Sequence, residues 1–133
     1  MKNQSILVLM YHYVREIKDS EFPHLRGVEF NQFKKQLDFI VKNYNVIRAE
    51  DLINFYVNGA ELPDNTCLLT FDDGYKDHKK FVLPELLKRG LKGVFFPPVK
   101  SIIDRELLDA NAIHFILSSE NNDSQLLEKI LKL

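Results

Sequence analysis

The sequence predicts an α/β chain built on a parallel sheet, and three observations lead there. Short apolar runs alternate with stretches of helical periodicity along the chain, the pattern of βαβ units. The runs are apolar at consecutive positions, as expected of strands covered on both faces. His12, Asp72-Asp73 and Pro97-Pro98 each stand where a different predicted strand ends, and ligands collect beyond the carboxyl ends of strands in such sheets.

Ser5 to Tyr11 (SILVLMY) reads as the first buried strand, and Arg15 to Glu29 as a polar loop marked by Pro23 and Gly27. Phe30, Phe33, Leu37, Ile40, Val41 and Tyr44 then form one apolar stripe at spacings of three and four, which predicts a helix capped by Asn31. Asn45 to Ile47 follows as a short strand, and Glu50 to Val57 as a second helix closed by Gly59, a residue suited to a left-handed cap. After the turn Leu62-Pro63-Asp64-Asn65, Thr66 to Phe71 is the strand that carries the acids. The next helix has Leu83, Leu86 and Leu87 as its apolar side and stops at Gly90; Pro84 places a loop or first turn before its main body. Gly93 to Phe96 reads as a further buried strand broken by Pro97-Pro98, with Phe95-Phe96 as core. Helices over about 105–117 and 124–131 close the chain, divided by Asn121-Asn122-Asp123, with Asp123 or Ser124 as cap. Ser101 and Asp104 are expected as helix caps without a chemical role.

A chain of 133 residues suits one domain with a real core and is short for two. A net charge of -1 and 45% hydrophobic residues offer no basic field for nucleic acid. Lys79-Lys80 and Lys88-Arg89 read as solvated helix faces. The single cysteine, Cys67, lies in an apolar run and is expected as a small buried residue. The run Ile6 to Met10 is shorter than the about 7 to 15 residues of a secretory core or the about 20 of a membrane span. The expectation is a cytoplasmic chain with no membrane partner.

Two adjacent carboxylates at a strand end repel one another, and a bound cation relieves that cost. The bland alternative is an Asp-Gly turn with both acids solvated. Thr70-Phe71-Asp72-Asp73-Gly74 resembles the first motif of the polysaccharide deacetylases, the NodB-like domains of carbohydrate esterase family four. Met10-Tyr11-His12-Tyr13-Val14 looks like the first strand of one branch of that family, and Gly93-Val94-Phe95-Phe96-Pro97 resembles the strand after the motif helix. The likeness covers most of residues 5 to 98. It implies an incomplete (β/α) barrel of the NodB type, with only its N-terminal half present in a single partial domain over 1–133. The implied activity is metal-dependent hydrolysis of N-acetyl groups on a sugar or polysaccharide. By resemblance Asp72 is the general base, and Asp73 a ligand to a divalent metal, usually zinc. Such an ion can lower the pKa of bound water to roughly 7 and polarise the acetyl carbonyl.

The chain departs from the family where the second motif, His-Ser/Thr-x-x-His, is due. His114 is the one histidine after Phe96; four residues before it stands Ala110, and three before it Asn111, a weak neutral oxygen donor. His114, flanked by Ile113, Phe115 and Ile116, reads either as a packed helix residue or as a metal ligand. His12 reads equally as a site residue or as a strand-end histidine bonded to a loop. Tyr75 either lines a sugar site or packs on the helix. His78 is expected to be exposed, and His24 to lie on the surface. Nothing after Phe115 resembles the family's later motifs. The sequence therefore leaves three readings: a truncated deacetylase, weak or inactive alone; a non-catalytic relic or interaction module; and one subunit of a split enzyme. Self-association or a complementing chain follows from the uncovered half-barrel that the resemblance implies.

Overall fold

The computed structural model describes residues 5–119 and 123–132. Its first strand, β1 (Ile6–Tyr11), leads through a short β2 (Val14–Arg15) and a long excursion to β3 (Val28–Glu29), which runs directly into α1 (Phe30–Asn43). There follow β4 (Asn45–Val46), α2 (Ala49–Asn58), β5 (Thr66–Asp72), a π-helical turn (His78–Val82), α3 (Leu83–Lys88) and β6 (Val94–Phe96). Three more helices, α4 (Val99–Ile103), α5 (Asp109–Ser118) and α6 (Asp123–Leu131), complete the described residues.

The main sheet is parallel throughout, as the sequence predicts. Strand β5 is its centre: β1 pairs with it from Ile6↔Thr66 to Tyr11↔Phe71. Its other edge takes β4 at its start and β6 at its end, through Thr70↔Val94 to Asp72↔Phe96. β2 and β3 form a separate parallel pair, so the segment read as one polar loop is bounded by strand at both ends.

Alternation along β5 divides the core between two faces. Cys67, Leu69 and Phe71 pack with Phe33, Leu37 and Ile40 of α1 and with Val82 and Leu86. The helical stripe thus points where its periodicity predicts, although Val41 stays 48% exposed. On the opposite face Leu68 joins Ile47 and Leu62, with Leu52 and Phe55 of α2 against them. That face is only partly covered. Val8 and Met10 are 52% and 63% exposed, which corrects the reading of β1 as fully buried. Phe96 is 55% exposed and Phe95 37%, so the second aromatic strand is not core either; three residues at a sheet edge are too few to be enclosed. The resemblance implies an incomplete barrel; the described residues form a partly covered parallel sheet.

Local differences have local causes. Helix α1 begins at Phe30 straight from β3, which leaves Asn31 inside the first turn and no side chain capping it. Pro84 sits in the first turn of α3, one of the two places expected, with a π-helical turn before it, and of the helix's three leucines only Leu86 is buried. Ser101 lies within α4 and Asp104 ends it, so neither caps a helix start. Arg89 is not a solvated residue: its side chain pairs with Asp38 at 2.7 Å and with Glu85. The expected turn at Asn121-Asn122 lies outside the described residues.

Candidate active site

The strand β5 ends at Asp72, and the backbone turns at once. Asp73 and Gly74 both adopt positive φ, 68° and 62°. Glycine is needed at the second position for a further reason: a Cβ on Gly74 would lie 2.7 Å from Cβ of Pro97. The turn is therefore folded tightly onto the end of β6. The Asp73 N–H donates to the Phe96 carbonyl at 3.1 Å, which holds this carboxylate in a conformation that costs a non-glycine residue about 1–3 kcal/mol.

The two acids diverge. The Asp72 carboxylate, 27% exposed, lies 3.9 Å from Nε2 of His12 at the end of β1. Asp73 instead accepts from the Tyr75 hydroxyl at 2.6 Å, and its Oδ2 is 3.5 Å from Nδ2 of Asn111 on α5. Each acid thus has its own polar neighbour, which reduces the cost of placing them side by side.

Tyr75 stacks on Tyr13, with ring centroids 4.4 Å apart. The buried Asn111 amide donates to both tyrosine oxygens, at 3.0 Å to Tyr13 and closely to Tyr75. The Tyr13 oxygen also lies 3.3 Å from Nδ1 of His114. The directions are mutually consistent: one amide hydrogen goes to each tyrosine, Tyr75 passes its own to Asp73, and Tyr13 passes its own to His114. Burial first, and then the hydrogen bonds with Asp73 and Tyr13, hold the Tyr75 phenol well above its ordinary pKa. Tyr75 accordingly remains a donor at any physiological pH.

The structure brings His12 to Asp72, and Tyr75 and Asn111 to Asp73, while His114 meets Tyr13. His114 is exposed on α5, with its ring edge against Tyr13, and is not packed into the core. His24 lies on the surface, as expected. His78 corrects the sequence reading: it is 4% exposed. Sequence reasoning gives Tyr13 no role of its own and sets Asn111 aside as a weak donor. The sign of Asn111 was its place three residues before His114, one helical turn away on the same face. A groove of about 810 Å³, lined by residues including Leu7, Leu9, Tyr11 and Phe39, runs along β1 and α1. It is apart from the acids and belongs to packing, not to this chemistry.

Among the described residues, no group of three or more His, Cys, Asp and Glu side chains is placed to hold a metal ion. The chain of contacts from Asp73 through Asn111 and Tyr13 to His114 does offer a carboxylate, an imidazole and, with the amide turned, the Asn111 oxygen. That donor chemistry fits a divalent cation, bound more weakly than by three charged or imidazole ligands.

No family model matches the chain, and no curated protein does. Solved structures do. A de-N-acetylase from Aggregatibacter actinomycetemcomitans is 26% identical with a TM-score of 0.63, over 76% of this chain and 40% of its own. IcaB from Ammonifex degensii is 26% identical with a TM-score of 0.60, over 71% of this chain and 39% of its own. The deacetylase PplD of Streptococcus pyogenes, in complex with acetate, is 25% identical with a TM-score of 0.59, over 68% of this chain and 41% of its own. The chain therefore has the α/β fold of deacetylase structures, and its match spans about two fifths of their length.

Proposed function

We propose that this chain is the N-terminal part of a polysaccharide deacetylase of the NodB type, acting on N-acetyl groups of a sugar or polysaccharide. The observation that supports this most is the placement of Asp72-Asp73 at the carboxyl end of the central strand, on a fold like those of two deacetylases. Asp72 is the general base. Water adds its oxygen to the acetyl carbonyl carbon and gives a proton to the Asp72 carboxylate. As the C–N bond breaks, that proton passes to the leaving nitrogen, so acetic acid and an amine result, and the acid's own proton moves to the amine to give acetate and ammonium. His12 and Tyr75 flank the acids and bind substrate, Tyr75 through its ring, since its one O–H is held by Asp73. Asp73 and His114, with Asn111, would hold a divalent cation, zinc first among candidates. Such an ion supplies electrophilic polarisation of the acetyl carbonyl.

The test is acetate release from an acetylated chito-oligosaccharide by the chain, with and without added zinc, against Asp72→Asn. Metal-stimulated release that the variant loses by about 10²-fold or more supports the proposal. No release, together with no stoichiometric zinc in calorimetry, favours the non-catalytic module.

A second reading concerns partners. The uncovered sheet face at Val8, Met10 and Phe96 supports association with another polypeptide, either a second copy or a complementing chain of a split enzyme.

A further inference from the structure

His78 has no place in the chemistry just described, yet it joins the two strand ends that carry it. Its Nε2 lies 2.7 Å from the carbonyl oxygen of His12. A carbonyl only accepts, so Nε2 bears the hydrogen and Nδ1 is left as a bare lone pair. That Nδ1 is buried and has no hydrogen-bond partner. The ring is instead enclosed by Phe71, Tyr75 and Phe95, with centroids 5.7, 5.6 and 5.9 Å away. An apolar ring would fill such a cage without stranding a polar atom. Packing alone therefore does not call for histidine at this position, whereas a donor to the His12 carbonyl does.

The location gives that donor its purpose. The His78 N–H bonds back to the Tyr75 carbonyl at 3.0 Å, so the imidazole is set by the same turn that carries Asp73 and Tyr75. Wide π-helical turns of this kind recur at functional sites, and here the turn begins at His78. The His12 side chain is 44% exposed, with Asp72 3.9 Å away, so packing does little to fix it. Its backbone is what can be fixed.

We infer that His78 is a positioning residue, whose buried N–H clamps the His12 carbonyl and so keeps the His12 side chain beside Asp72. The inference rests on the reading of Asp72 as the base, but its central contact is testable without activity. In the ¹⁵N-histidine spectrum of the full chain, His78 is expected as the Nε2–H tautomer with a slowly exchanging proton; an Nδ1–H tautomer overturns the proposal. His78→Phe keeps a ring and removes the donor. It is expected to unfold cooperatively, and to exchange the Val28 amide, which bonds the neighbouring Tyr13 carbonyl at 2.8 Å, at least about tenfold faster. Acetate release should lose about tenfold in kcat/KM, mostly as a raised KM, since His12 binds substrate. His78→Gln restores a donor and should recover most of both. Val28 exchange in His78→Phe equal to wild type overturns the proposal. So does a folded His78→Gln with its loop released, which would show that ring packing is what matters. If wild type releases no acetate, the deacetylase reading fails alone, and the tautomer and exchange results still decide the clamp.

Discussion

A carboxylate at positive φ, bound by a phenol whose pKa is raised, is tightly constrained. Asp73 is held through its N–H by Phe96 and through its carboxylate by Tyr75. Tyr75→Phe removes a hydrogen bond to a charged group and should cost about 1.5–3 kcal/mol in urea unfolding; loss of less than about 0.5 kcal/mol would mean that the bond is exchanged freely for water. Gly74→Ala meets both a strained φ and the Pro97 ring, and should cost about 1–3 kcal/mol by the same measurement. The twin acids were legible in the sequence because an apolar strand that stops at two carboxylates has few structural explanations. The bond between Asn111 and Tyr13 was not, since it depends on α5 returning to the strand ends, a contact about a hundred residues apart that no local pattern encodes. His78 was hidden by the lysines that follow it. Counted as apolar, it makes a stripe with Phe81 and Val82, and that spacing was the available sign.

At the scale of elements, the strands and long helices follow from periodicity, and the short pieces do not. β1, β5 and α1 have enough residues for packing to act on a face. α4 has five residues and β6 three, so neighbours and chain ends decide them. Helix α2 shows how a local signal can suffice without burial. Asp51 accepts from the Arg48 backbone N–H at 2.9 Å and pairs with the Arg48 guanidinium at 2.8 Å, while Gly59 closes the other end with φ 68°. The Arg48 hydrogen bonds hold the Asp51 carboxyl down at about 2, from an ordinary 3.8. In that interval the unfolded chain binds the proton and the folded chain does not, so stability rises with pH. The contribution is complete above about pH 4 and is lost as pH falls towards 2. Asp51→Asn should therefore lose less helicity than wild type over that range, in far-UV circular dichroism of the two proteins side by side. Parallel acid curves would show that the pair does not hold the helix end.

For the whole molecule the decisive quantity is uncovered apolar sheet. Around Phe71 the α1 face is closely packed: Phe71 stacks on Tyr11 and Phe95 and meets Phe33 edge-on, and Phe71→Ala there should cost about 3–5 kcal/mol. The opposite face has α2 over its beginning and leaves Val8 and Met10 open, while β1 has no strand beyond it among the described residues. Parallel sheets are ordinarily covered on both faces, and a strand edge with free N–H and C=O groups pairs readily with another chain. Both features fit the association with a second polypeptide along β1 proposed above. Met10→Glu is the direct probe. At 63% exposure the side chain contributes little to the fold of one copy, and its loss should move monomer stability by no more than about 0.5 kcal/mol. A buried carboxylate at a sheet-to-sheet contact, by contrast, would be costly. Light scattering across a concentration series should thus find wild type larger than one chain and Met10→Glu shifted towards monomer. Wild type that stays monomeric throughout would exclude a second copy and leave a complementing chain as the partner to seek. An associated Met10→Glu would show instead that the contact avoids this face.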